Sequence, residues 1–216
     1  MLVNTNDLLE ATLETLTMVG LSLFFSALLG IPLGILLALT RKRGLLENIP
    51  LFTALNGIIN LFRSIPFIIL LVAIIPVTRF IVGTSIGTAA TIVPLVFYAG
   101  PYIARLVENS LLEVNAGVIE AAKAMGATPT QIVLRFLIPE ALGSLILNLT
   151  IATIGLVGAS AMAGAVGGGG LGDLAITYGY QRYDTVTMFI TVGLLIILVQ
   201  GIQLLGNLLA KQMSRR

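Results

Sequence analysis

The chain contains no histidine and no cysteine, so imidazole bases, thiolate nucleophiles, disulfides and the usual zinc ligands are missing together. Its lysines are Lys42, Lys123 and Lys211; none is preceded by glycine and none is followed by serine or threonine. The Gly-x-x-x-x-Gly-Lys-Ser/Thr loop that cradles nucleotide phosphates is therefore absent, and the glycine run Gly167–Gly170 is no nucleotide site. That run is expected near the outer end of an apolar helix, as a flexible exit loop or as a hinge where close helix contact and bending are both needed. Two polar features remain. One is the stretch EAAKAMGATPTQIVLRFLIPE from Glu120 to Glu140, and the other is Arg63, set in an apolar run. Both suit electrostatic and mechanical work rather than covalent catalysis.

The surroundings of these residues are oily. Of 216 residues, 57% are hydrophobic and 10% charged, with a mean hydropathy of +1.04. A soluble domain carries roughly 25% charged residues, so the expected class is an all-α integral membrane protein. The first residues, MLVNTNDLLEATLE, hold acids but no lysine or arginine. They lack the basic start of a cleaved signal peptide, and the first apolar segment is expected to be retained.

Stretches free of Asp, Glu, Lys and Arg run over 15–40, 64–78, 80–104, 141–172 and 185–210. Four are long enough to cross a hydrocarbon core of roughly 30 Å, which takes about 20 residues. The stretch between Arg63 and Arg79 reaches only about 22 Å as a helix, and spans only by extending back through Phe62 and Asn60, drawing Arg63 into the membrane. The expectation is five helices, at 16–39, 54–77, 85–107, 142–165 and 186–208, in a single transmembrane domain over 1–216. Alternation of polar and apolar residues, as a membrane barrel needs, is absent. Pro32, Pro66, Pro76, Pro94 and Pro101 fall within or at the ends of spans, where kinks are tolerated if neighbouring helices satisfy the freed carbonyls.

With the N-terminus outside, the inner side receives Arg41, Lys42, Arg43, Arg105, Lys123, Arg135, Lys211, Arg215 and Arg216, and the outer side only Arg79 and Arg182. Nine against two sets the N-terminus out and the C-terminus in. The segment 108–141 then lies on the cytoplasmic side.

That segment is too long for a simple turn, and its grammar is helix-turn-helix. Asn115 can cap a helix with Val118, Ile119, Ala122 and Met125 on one face. Gly126 follows the last apolar residue, at the position where a left-handed residue commonly ends a helix. Thr128, Pro129, Thr130 and Gln131 form a capping box with proline at the first helical position. The second helix carries Ile132, Phe136 and Leu137, and Pro139 is expected to mark its end. From the residues alone, a helix pair floating on headgroups and one docking on another protein both remain open.

These residues carry a resemblance. Glu120-Ala121-Ala122, three residues, Gly126, nine residues, then Phe136-Leu137-Ile138-Pro139 resembles the cytoplasmic EAA loop of ABC importer permeases. Phe136 and Ile138 stand where the family pattern has Ile and Leu, and both keep a bulky apolar group. The runs FRSIPFIILLVAIIP, IVGTSIG, GPYIARLVENSLLEV, IEAAKAMGATPTQIV and GAVGGGGLG further resemble the permease subunit of methionine-uptake ABC transporters, over most of residues 60–172.

The resemblance implies a homodimer of permeases in a bacterial inner membrane, two cytoplasmic ATPase subunits and an external substrate-binding protein, often a lipoprotein. It implies methionine as substrate, L and plausibly D, with another amino acid or an osmolyte as the alternative. It assigns Glu120, Ala121, Ala122, Gly126 and Pro139 to ATPase coupling. ATP and magnesium would belong to the partner ATPase; this chain is expected to be no enzyme, to hold no cofactor or metal of its own, and to have no nucleic-acid partner.

The substrate path is less marked. Arg63 is expected either to snorkel or bind carbonyls, or to line the path. Thr153, Ser160 and Met162 offer a weakly polar, soft-walled face that suits a thioether, although small residues also serve ordinary helix packing. An ion-driven transporter would need carboxylates within its spans, and only Glu108 lies at the inner margin of one. An intramembrane acid–base enzyme has few candidates for the same reason.

Overall fold

The apolar runs become helices, and the computed structural model, which describes residues 3–213, has no strand among the described residues. Arg215 and Arg216, counted above on the inner side, lie outside the described residues. Helix α1 (Thr5–Thr40) has 36 residues and measures about 54 Å at 1.5 Å per residue. It begins well before residue 16 because its N-terminus is capped: Asn4 N–H donates to Asp7 Oδ2 at 2.9 Å.

The second expected span is not one rod. α2 (Ile49–Ser64) and α3 (Phe67–Ala73) meet at a bend of 101°. Pro66 is the cause: its ring disfavours helical backbone in the residue before it, and Ile65 is extended at φ −86°, ψ 122°. α4 (Ile75–Val82) follows and ends at a left-handed Gly83. α5 (Thr88–Leu112) runs unbroken through Pro94 and Pro101. After α6 (Ala116–Ala124), α7 (Pro129–Ile132) passes through a π-helical turn, Val133–Leu137, into α8 (Ile138–Gly164). α9 (Gly170–Leu174) continues as a second π segment, Ala175–Gln181, and α10 (Thr185–Met213) closes the described chain.

Four helices are long and apolar enough to cross a membrane: α1, α5, the continuous α7–α8 rod and α10. The bent α2–α3 pair makes a fifth span if counted as one. The expected helix-turn-helix also changes form. Its second helix is not a separate piece but the first turns of the fourth span, and Pro139 ends nothing. In a regular helix the Pro139 ring would collide with the carbonyl four residues back. The π turn just before it relieves this, with Ile138 N–H reaching Val133 O, five residues back.

α1 and α5 form the central pair. Gly30 and Gly34 lie one turn apart on α1, and a Cβ at either would sit within 3 Å of α5 atoms: Gly100 O at 2.7 Å for the first, Ala104 O at 2.4 Å for the second. This is the small-xxx-small contact that lets membrane helices approach closely. α8 packs beside α5 through Leu156 and Ile103, both fully buried in one cluster with Met18 and Leu95. α10 leans on α8 where Gly206 meets the Thr150 side chain. Thr187, Thr191 and Ala210 are also buried, and Leu195, Leu198, Val199 and Ile202 pack against the core, while the opposite face of α10, with Phe189, Ile197 and Leu208, is exposed and apolar.

The glycine run is clamped rather than loose. Gly87 N–H donates to Gly167 O at 2.9 Å. Gly170 N–H donates to Glu14 Oε2 at 2.7 Å, and Leu171 N–H to Thr15 Oγ1 at 2.9 Å. The flexible exit loop is thus replaced by a tight contact between the start of α1 and the start of α9.

Candidate functional site

Asn115 begins α6 by accepting a 2.8 Å hydrogen bond at Oδ1 from Gly117 N–H. The helix closes on Gly126, whose φ of +76° places it in the left-handed region. Gly126 N–H donates to Lys123 O and Ala127 N–H to Ala122 O, so the last carbonyls are satisfied. Two residues later Thr128 and Gln131 form the expected capping box: Thr128 N–H donates to Gln131 Oε1 at 2.9 Å, and Gln131 N–H to Thr128 Oγ1 at 3.4 Å. The result is a stiff elbow with both ends capped.

Its two faces differ. Ala122 is fully buried and shares a core with Ile132, Val133 and Leu137, which belong to the base of the fourth span. Glu120, Ala121, Gly126 and Pro139 are exposed. Ile119 packs against the core as the helical spacing predicts, but Met125 does not. It caps the helix at its tip and is 70% exposed, because the chain turns away at Gly126. The outward side of the elbow therefore offers a carboxylate, a small alanine and an adaptable thioether. Such a surface suits a protein partner better than bare water.

The elbow is tied into the spans at its roots. Asn148 of α8 donates from Nδ2 to Ser110 Oγ of α5 at 2.8 Å. Ser144 Oγ, one turn earlier on α8, donates to Glu113 Oε2 at 2.7 Å. On the other flank of α5, Arg105 donates from Nη1 to Glu108 Oε2 at 2.5 Å. Its Nη2 donates to Asn56 Oδ1 at 2.5 Å and Asn60 Oδ1 at 3.0 Å, both on α2. Arg105 Nε is buried without a partner among the described residues.

This second network was not foreseen from sequence. In the sequence, Arg105 stands out only as an inner-side cation and Glu108 only as an acid at the margin of a span. The available signal was spacing: Arg105/Glu108 at i,i+3, and Asn56/Asn60 at i,i+4 on an otherwise apolar helix, each put two polar groups on one face.

The path candidates are not brought together. Arg63 is exposed near the end of α2, two residues before the bend, and makes no carbonyl contact among the described residues. Thr153 Oγ1 donates to Leu149 O at 2.7 Å, and Ser160 Oγ to Val157 O at 2.8 Å, so both hydroxyls are used by their own helix. Ser160 is buried while Met162 is 56% exposed. Two residues along a helix turn by about 200°, so these side chains do not share the single face expected of them. Among the described residues no group of acids, histidines or cysteines could hold a metal ion.

Comparison with known proteins places this arrangement. Residues 30–216 match the family described as binding-protein-dependent transport system inner membrane component. The probable D-methionine transport system permease protein MetI of Vibrio cholerae serotype O1 is 54% identical over 213 residues, covering 99% of this chain and 95% of the relative. The D-methionine transport system permease protein MetI of Escherichia coli strain K12 is 55% identical over 157 residues, 73% of this chain and 72% of the relative. A chain from the MetNI methionine ABC transporter, crystallised in inward-facing conformations, superposes with a TM-score of 0.94 at 51% identity, covering 96% of each chain. A chain of an amino acid ABC transporter crystallised with histidines superposes at 0.78 with 19% identity, a likeness of fold alone.

Proposed function

The chain belongs to the binding-protein-dependent transport system inner membrane components, and from that premise we propose that it is the permease subunit of an ATP-driven methionine importer. It is a multi-pass inner membrane protein and not itself the ATPase. The observation that carries the substrate is 54% identity along nearly the whole chain to a probable D-methionine permease. Two copies form the path between them, with exposed faces such as that of α10 left for the second copy and for lipid. The N-terminus lies outside and the C-terminus inside, as the lysine and arginine distribution favours.

The elbow is the coupling element, with Glu120, Ala121, Ala122, Gly126 and Pro139 as its working residues. A cytoplasmic ATPase subunit docks on the exposed side at Glu120 and Ala121, while buried Ala122 joins the elbow to the base of the fourth span. Displacement of α6 then moves α8 directly, because α7, the π turn and α8 are one rod. It moves α5 through Ser110, and α2 through Arg105. An external binding protein delivers the substrate. Arg63 and Met162, both exposed on their helices, line the path; Thr153 and Ser160 contribute little, since their hydroxyls are already engaged.

Competition in proteoliposomes tests the substrate. Vesicles holding this chain and its ATPase, supplied with the external binding protein, should take up labelled methionine, and unlabelled L- or D-methionine should compete. Competition by another amino acid or an osmolyte, with none by methionine, would assign the chain to the alternative substrate of the same importer class.

A further inference from the structure

The basic loop after α1 is folded back onto the helix end and is not a free tail. Arg41 N–H donates to Leu37 O, Leu46 N–H to Leu39 O and Asn48 N–H to Thr40 O, so three of the last four carbonyls of α1 are satisfied by the loop itself. Gly44 N–H bonds Arg41 O at 2.9 Å, and Glu47 accepts Arg43 N–H at 2.8 Å. Arg43 is held at φ +64°, a conformation that L residues adopt only where the surroundings fix it.

The folded loop walls a cavity of about 330 Å³ together with α5, α6 and the π turn. Leu39, Leu45, Leu111, Ile119 and Leu137 form its apolar floor, and Arg41, Lys42, Arg43 and Lys123 stand around it with no acid in the lining. None of the four cationic side chains has an ion-pair partner among the described residues. Leu112, also in the lining, is exposed on its outer side, which carries the apolar surface out of the cavity.

We propose that this cavity binds the headgroup of an anionic phospholipid, with the phosphate among Arg41, Lys42, Arg43 and Lys123 and the upper acyl chain on the leucine floor. The inference rests on the reading that α6 lies on the inner side of the membrane. Charge and polarity favour lipid over other occupants. Four cations without ion-pair partners favour an anion, an apolar floor favours a hydrocarbon, and basic pockets at the inner face bind anionic lipid headgroups. A bound headgroup would also bridge the α1–α2 loop to the coupling helix, since Lys123 belongs to α6.

The test uses the complete importer, chain plus ATPase, in detergent micelles titrated with fluorescent phosphatidylglycerol. Phosphatidylcholine with the same chains and soluble glycerol phosphate serve as competitors. Neither competitor should displace the probe. Each cation removed should weaken binding about fivefold, so Arg41→Gln/Lys42→Gln should lose about 25-fold and Lys123→Gln alone about fivefold. Lys211→Gln, on α10, should bind as the parent does. Equal binding of the two lipids, parental affinity in both cavity variants, or full displacement by glycerol phosphate would each overturn the proposal. So would release of the ATPase from the Arg41/Lys42 variant with lipid binding unchanged, because the cations would then serve the protein partner. Failure of methionine uptake, in contrast, would bear on the importer assignment and not on the lipid.

Discussion

Asn148 of α8 hydrogen-bonds Ser110 of α5 at 2.8 Å, joining the helix that leaves the α6 elbow to the helix that enters it. A hinge at this level would let α6 swing without moving the spans; the bond, with Ser144 and Glu113 one turn nearer the elbow, closes that hinge.

Replacing Asn148 by leucine should therefore affect coupling more than folding. Interhelical hydrogen bonds in membranes contribute about 0.6 kcal/mol on average, so unfolding in mixed micelles should shift by no more than about 1–2 kcal/mol. Methionine transported per ATP hydrolysed should fall severalfold. An unchanged ratio would mean that the bond only supports packing.

Glu108 is a different case, because it is nine-tenths buried and is the ion-pair partner of Arg105. Glu108→Leu leaves a half-buried guanidinium, still held by Asn56 and Asn60, without its counter-charge and should destabilise the chain by about 1.5–3 kcal/mol. The double variant Arg105→Met/Glu108→Leu removes both charges and should recover most of that stability while loosening α2 from α5. Unfolding of the two variants in the same detergent separates these effects; equal loss in both would remove the ion pair from the account.

Gly34→Val probes the α1–α5 contact. Its added carbons would overlap Ala104 O and Val107, both within 3 Å of even a single Cβ. Overpacking of this kind costs about 1–3 kcal/mol. Gly20→Val, on the same helix with open space around it, should change stability far less. Thermal denaturation in detergent reads both.

Much of this was legible in the sequence because membrane physics writes plainly. Charge-free runs marked the long helices. Asn115, Gly126 and Thr128–Gln131 gave the caps of the elbow, since caps are local. Where the reading departed from the structure, the deciding interaction was not local. Pro66 bent the second span, but the size of the bend depends on what α2 and α3 pack against. Pro139 read as a helix end because the pattern of a π turn has no distinctive composition. Glu14 and Gly170 meet across 156 residues, and nothing in either neighbourhood announces the other. The proposed path is least legible, because in the proposed dimer it lies between two copies and involves exposed side chains that no contact within the chain marks.

The central claim is that ATP-driven methionine transport passes through the α6 elbow. It is tested most directly by measuring ATP hydrolysis and methionine accumulation in the same proteoliposomes, carrying the ATPase and supplied with binding protein. The parent chain should accumulate methionine only with ATP. Glu120→Trp, on the exposed side of α6, and Gly126→Val, at the left-handed turn, should each lose about tenfold or more of uptake, with the spans still inserted. Parental uptake in both variants, or methionine entry that needs no ATP, would contradict the account.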